Sequence, residues 1–287
     1  ALREETIQFR LIAAPGYPEL MDEMVTLNAD RNETAFVVAD SPFRLTPTEA
    51  VNWVQGSSAT ENGEDGLVTK NTYAAAYYPS VLTTDPVSGL SVVAPASHSV
   101  LYTYAYNDNV SYQWFAPAGL TRGVVQNASN VGYVNSENEF VAVSLTQGHR
   151  DAMYLNKLNP IVNFPAEGIV IFGQKTLTAT ASALDRVNVA RLVAYLRERF
   201  AVISRPYLFE PNDEAIRDDV KSTFDGFLSN IKANRGVYDF SVVCDTTNNT
   251  TARIDRNEIY VDIAIEPTKS GEFIYIPVRI VNTGDLS

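Results

Sequence analysis

His98, His149, Cys244 and the acid pairs Asp213-Glu214 and Asp218-Asp219 are the side chains in this 287-residue chain that could do nucleophilic, metal or proton-transfer chemistry. A catalytic serine needs a histidine beside it and an exposed turn of the G-x-S-x-G kind. The chain has no such turn. His98 follows Pro95-Ala96-Ser97 at what reads as a helix start, and His149 follows Gln147-Gly148; both read as ordinary polar positions. One cysteine and two distant histidines do not give zinc-ligand spacing, and no phosphate-binding loop, dinucleotide fingerprint or calcium loop occurs. Paired carboxylates could serve glycosidase-like hydrolysis. Asp213-Glu214, however, falls in the opening turn of a helix, where acids favour the macrodipole, and Asp218-Asp219 on its solvated face. An α/β hydrolase using these acids is the enzymatic alternative; the residue types favour a surface over a reaction centre, with no catalytic, metal or cofactor residue predicted.

The elements that would position a site are clearest from Leu184 onward. Val189, Leu192, Val193, Leu196, Phe200 and Ile203 recur at helical spacing, and Pro206 stops that helix. A second helix is capped by Pro211-Asn212-Asp213-Glu214, carries a stripe of Ile216, Val220, Phe224, Phe227, Leu228 and Ile231, and closes at Lys232, Arg235 and Gly236. The period then switches to two. Tyr238, Phe240, Val242 and Cys244 predict a strand with one buried face, and the cysteine is read there as a packed thiol. Ile259, Val261, Ile263 and Ile265 predict the next strand, and Ile274, Ile276, Val278 and Ile280 a third across Thr268-Lys269-Ser270-Gly271. Pro277 inside the last run places it at a sheet edge, where another chain can pair.

Toward the N-terminus, Ile7, Phe9 and Leu11 predict a strand, Leu20 to Leu27 a helix, and Thr34 to Ala39 a second strand, a pattern that suggests a parallel crossover. Thr46-Pro47-Thr48-Glu49 reads as a capped helix start. Thr72 to Tyr78 and Leu90 to Val93 predict strands separated by a turn at Thr83-Thr84-Asp85-Pro86, and Ile169 to Phe172 a central strand covered on both faces. The tyrosines 102, 104 and 106 fit a strand by alternation, while Val100, Leu101, Tyr104 and Ala105 fit a helix. The predicted class is α/β with α+β character: a mixed β-sheet flanked by helices on its faces, ending in a helix pair and a β-meander or hairpin, in one domain over 1–287.

A net charge of −12 argues against nucleic-acid binding. No apolar run approaches the roughly 20 residues of a membrane span, so membrane insertion is not expected. One segment reverses the sign: Leu184 to Arg205 holds Arg186, Arg191, Arg197, Arg199 and Arg205 against Asp185 and Glu198. Such a cluster suits acidic partners, where complementary charge fixes register.

The run Leu184-Asp185-Arg186-Val187-Asn188-Val189-Ala190-Arg191-Leu192, then Leu208-Phe209-Glu210-Pro211-Asn212-Asp213, Gly236-Val237-Tyr238-Asp239, Val243-Cys244-Asp245-Thr246-Thr247-Asn248-Asn249 and Ile254-Asp255-Arg256-Asn257-Glu258 resembles, in that order, the C-terminal region of myophage contractile tail sheath proteins. Trp114-Phe115-Ala116-Pro117-Ala118-Gly119, Leu158-Asn159-Pro160-Ile161 and Gly168-Ile169-Val170-Ile171-Phe172-Gly173 agree with it, and it selects the helix for Val100 to Tyr106.

The resemblance implies a structural subunit that assembles helically with its own copies around a tail tube protein, between baseplate and tail terminator proteins, and contracts to drive the tube through the host envelope for genome ejection. It implies no cofactor, assembly in the host bacterial cytoplasm and residence in the virion. It makes the chain an inner, tube-proximal domain and the C-terminal part of a longer protein. Inter-subunit strand exchange is expected of Glu272, Phe273, Ile274, Tyr275, Ile276, Pro277, Val278, Arg279, Ile280 and Val281, and charged inter-subunit or tube contacts of Arg186, Arg191, Arg197 and Arg199. The alternative within the family is the sheath of a phage-derived contractile injection system, pyocin or type VI secretion-like.

Overall fold

The computed structural model describes residues 2–4, 7–57 and 65–272. In chain order it runs β1 (Leu11–Ile12), α1 (Met21–Asp30), β2 (Phe36–Asp40), α2 (Pro47–Val54), β3 (Ala74–Tyr78), β4 (Ser80–Thr84) and β5 (Ser91–Ala94). Then come α3 (Ala96–Val110), α4 (Gly119–Arg122), β6 (Asn130–Val134), β7 (Phe140–Ala142), α5 (Gln147–Leu155), β8 (Leu158–Phe164) and β9 (Gly168–Ile171). The C-terminal part holds α6 (Val187–Ser204), α7 (Glu214–Ala233), β10 (Val237–Val243), α8 (Thr251–Ile254) and β11 (Asp262–Pro267).

Five strands form a mixed sheet in the order β1-β2-β3-β8-β9, parallel through β8 and antiparallel at β9. Alternation along the strands divides the core. Val37, Ala39, Ala74, Ala76 and Tyr78 face α1, α2 and α5, whereas Phe36, Val38, Ala75 and Tyr77 face α3 and the start of α6. Both faces are covered, so Phe36–Ala39 and Ala74–Tyr78 are largely apolar runs. A four-stranded antiparallel sheet, β5-β4-β6-β7, adjoins the first, and β10 and β11 pair as a ribbon on α6 and α7. The mixed α/β architecture matches the prediction.

Local signals explain several elements. Thr46 and Glu49 form a capping box at α2, and the Asp213 side chain accepts the Ile216 N–H at 2.9 Å to cap α7. Helix α3 begins at Pro95, which cannot cap it, and Asp40 from the end of β2 does so from across the fold: Ser97 donates its N–H at 2.6 Å and its hydroxyl at 2.7 Å. The oxygen that takes the Ser97 hydroxyl, Oδ2, also accepts the Gly16 N–H at 2.9 Å. Burial raises the Asp40 pKa and these hydrogen bonds partly offset it.

Four expectations change. Strand β4 was not anticipated; it pairs with β5 across the turn at Asp85 and with β6 on its other side. The N-terminal strand is confined to Leu11–Ile12, and the Phe9 ring lies instead beneath the Arg31 guanidinium. Strand β9 is at the edge of the five-stranded sheet and not in its centre; it is apolar because the segment Gly123–Val125 covers that edge, with Val125 N–H on Ile169 O at 2.8 Å and Ile171 N–H on Gly123 O at 2.7 Å. A Cβ at Gly123 would stand 2.5 Å from the Ile171 carbonyl oxygen, which is why glycine occupies that position. Tyr238, expected inside, is 57% exposed, because a bulge between Val237 and Asp239 resets the alternation so that Val237, Val242 and Cys244 point inward. The predicted third strand at 274–280 lies outside the described residues.

Replacing Asp40 by alanine removes the acceptor of the Ser97 N–H and hydroxyl and of the Gly16 N–H; chemical denaturation should show a loss of about 1–2 kcal/mol.

Candidate inter-subunit surface

Helix α6 carries the arginine cluster. Its first two turns are buried on every side, with Val187, Ala190 and Ala194 on the sheet and Leu192 and Leu196 against α7 and the ribbon. Arg191 falls in this stretch and is 2% exposed. Its Nη2 lies 2.5 Å from an Asp108 carboxylate oxygen on α3, and its guanidinium stacks on Tyr104 at 4.6 Å. Tyr104 is hydrogen-bonded through its hydroxyl to Tyr77 of β3. Burial pushes the Tyr104 phenol up to about 12 although Arg191 pulls the other way. Arg191 is therefore an internal residue of the fold, and the expectation of a surface contact narrows to the other arginines.

Arg197 is ion-paired with Glu33 and stacks on Tyr73 at 4.9 Å, with 40% of its side chain exposed. Arg199 is half-buried beside the Tyr195 ring, whose neighbour Arg10 pairs with Glu198 at 2.9 Å. Arg186 stands at the N-cap position of α6, where its side chain makes no capping hydrogen bond; it pairs with Asp185 at 2.8 Å and with Glu272 at 2.6 Å. Arg186, Arg191 and Arg197 of the positive segment are thus each met by an acid within the chain, which the sequence count does not reveal.

Glu272 opens the expected strand-exchange segment, of which residues 273–281 lie outside the described residues. Its carboxylate accepts hydrogen bonds from Arg186 and, at 3.0 Å, from Gln174. Burial alone would raise its pKa; bonds from Arg186, Tyr154 and Gln174 outweigh that and hold it below the ordinary glutamate value. The root of the segment is anchored to the start of α6.

The remaining residues of the recognised blocks are joints. Asn249, 1% exposed, accepts the Tyr260 N–H at 2.6 Å and donates to the Tyr260 carbonyl at 2.9 Å, closing the loop between β10 and β11. Arg217 donates to the carbonyl and side-chain oxygens of Asn212, and Asn212 donates to Glu258 O at 2.9 Å. Asn159 donates to Ala76 O and Lys175 O and accepts the Lys175 N–H at 2.6 Å. Cys244 is fully buried, and burial raises its thiol pKa.

Asp213, Glu214, Asp218 and Asp219 are exposed. A cleft of about 410 Å³ lies elsewhere, between α5 and Ser270–Glu272. Of the two carboxylates that line it, Asp151 and Glu272, Glu272 is shifted downward, the wrong direction for a general acid. Among the described residues no group of histidine, cysteine and acids could hold a metal, and no helix is long and apolar enough to cross a membrane.

Residues 179–281 match the family described as the phage tail sheath C-terminal domain. The tail sheath protein of Vibrio phage KVP40 is 39% identical over 225 residues, covering 77% of this chain and 32% of the relative. That of Enterobacteria phage T4 is 32% identical over 248 residues, 86% of this chain and 36% of the relative. The chain thus spans about a third of the length of the curated relatives it matches. Among solved structures, the helical sheath of the anti-feeding prophage in its contracted state superposes with a TM-score of 0.72 at 20% identity, over 94% of this chain and 70% of that one. The contracted sheath of the extracellular contractile injection system PVC gives 0.68 at 19%, over 94% and 75%. At such identities the likeness is one of fold.

Two measurements test this geometry. Asp108→Ala leaves the buried Arg191 charge without its partner and should cost about 3–5 kcal/mol, more than Arg191→Met, which leaves an acid that water can reach; thermal denaturation orders the two. Glu272→Gln should destabilise the protein at neutral pH, and the difference from wild type should shrink as pH falls below the ordinary glutamate value of 4.5, since a depressed native pKa stabilises only the ionised form.

Proposed function

We propose that the chain is the inner domain of a contractile tail sheath subunit, because residues 179–281 match the phage tail sheath C-terminal domain family and similarity to phage tail sheath proteins runs through most of its length. The observation that carries this reading is the similarity to those relatives through most of the chain, on a fold shared with helical sheaths. The role is structural. Copies of the subunit assemble helically around the tail tube, between baseplate and tail terminator, and contraction drives the tube through the host envelope for genome ejection. The subunit is a virion component put together in the host cytoplasm. Energy comes from the difference in contacts between two packings of the same subunits.

Residues 1–287 act as one tube-proximal domain. Residues 272–281 supply a strand to a neighbouring copy, and the Arg186–Glu272 pair supports this by fixing where that strand departs. Arg197 and Arg199 offer charge to acidic groups of a neighbour or of the tube. The sheath of a phage-derived injection system is the second reading, favoured by the superposition on the anti-feeding prophage sheath; the higher identity to the phage relatives ranks it below the first.

Negative-stain electron microscopy of the full-length gene product, expressed with its tube protein, should show striated tubes; a protein that stays monomeric refutes the sheath reading. In that background Arg199→Glu should reduce the number of tubes without moving the subunit's melting temperature. Arg197→Glu should lower both, by about 0.5–1 kcal/mol in the subunit, because it sets a second acid against Glu33.

A further inference from the structure

Fifty-one consecutive residues, 86–136, contain only two charged side chains, Asp108 and Arg122, in a chain that is 20% charged. Asp108 pairs with Arg191, and the partly exposed Arg122 guanidinium lies 4.6 Å from the Phe115 ring. The same stretch holds nine of the 21 large hydrophobic side chains exposed among the described residues. Six of them gather around α3. Tyr102, Tyr106 and Val110 are 44%, 48% and 59% exposed and, four residues apart, share one face of the helix. Tyr112 follows at 43%, and Leu120 and Val124 at 54% and 37%. The segment bearing Leu120 and Val124 is held alongside α3 by Asn107 Nδ2 on Arg122 O at 2.6 Å and by the Tyr102 hydroxyl on Gln126 Oε1 at 3.5 Å.

We infer that this face is a contact surface for a second copy of the chain. The six exposed fractions amount to about 500 Å² of apolar surface, taking about 150–250 Å² for a large side chain, against about 800 Å² per partner in a standard interface. The uncharged polar residues between them supply the balance. A patch of that size is at the upper limit of what a monomer leaves in water. Charge selects the occupant. Two copies at −12 each repel through their acidic faces, and this neutral stretch is where they can meet without opposing like charges. A nucleic acid or an anionic membrane would need a basic rim that the stretch lacks. Tyr112 is already fixed in place, stacked on Trp114 at 4.6 Å with its hydroxyl on Asn234 Oδ1 at 3.0 Å, so little freedom is lost when a partner covers it.

The position of the surface stands on charge and exposure alone; the choice of a second copy rests on the sheath reading above. The test uses the full-length protein with Tyr106→p-benzoylphenylalanine, an aromatic replacing an aromatic, assembled from a mixture of light and heavy-isotope copies and irradiated. Mixed-isotope cross-linked peptides from position 106 are expected. Tyr106→Glu combined with Val110→Glu should lower sedimentable assemblies about tenfold, a hot-spot-sized loss, with the subunit's melting temperature unchanged. Cross-links that run only within one chain, or only to the tube protein, or a charged double variant that assembles as well as wild type, would overturn the surface while leaving the sheath reading intact. A wild-type protein that never assembles beside its tube overturns both.

Discussion

A guanidinium in a protein interior is tolerated only where its charge is met, and Arg191 sets the terms on which the rest of this fold closes. Its partners come from two elements: the Asp108 carboxylate and Tyr104 ring from α3, and Tyr77 from β3 through the tyrosine pair. Apolar contacts between α6 and the sheet would accept several offsets of similar area. The ion pair accepts one, because moving the helix by a turn would leave a buried charge alone. The start of α6 is thereby registered against the sheet, and α7 and the β10–β11 ribbon, which pack on α6, are placed in turn.

Much of this was legible in the sequence because local rules agreed with the tertiary result. The stripes of α6 and α7, the Thr46–Glu49 box and the parallel start β1-α1-β2 each follow from spacing and capping alone. What escaped depends on residues distant in sequence. The run Ile169–Ile171 reads as a central strand because it is apolar on both faces, yet its outer cover is Gly123–Val125, some 45 residues earlier. The Tyr238 side chain turns outward for want of one residue in the partner strand. Arg191 looked like one member of a basic helix face. Its burial is not written in the helix's own pattern: Val187, Val189, Ala190, Leu192 and Val193 leave one sector open around position 191, and Asp108 and Tyr104 of α3 fill it.

The recognised sequence blocks acquire a physical meaning from their positions. Asn159, Asn188, Asn212 and Asn249 are amides that satisfy backbone groups where the chain changes direction between elements. An amide can donate and accept at once, and a side chain of another shape would leave a buried carbonyl or N–H unpaired. The motifs that identify the family are thus mostly the fastenings of its fold, and the surface that distinguishes assembly partners has to be sought between them.

The double burial of α6 has a mechanical side. An 18-residue helix, about 27 Å long at 1.5 Å per residue, has side chains embedded in the sheet core on one side and in the α7–ribbon core on the other. Load applied to the ribbon reaches the sheet through that rod, and close-packed interiors yield little under it. A body built this way passes a displacement on to its boundaries with little deformation of its own.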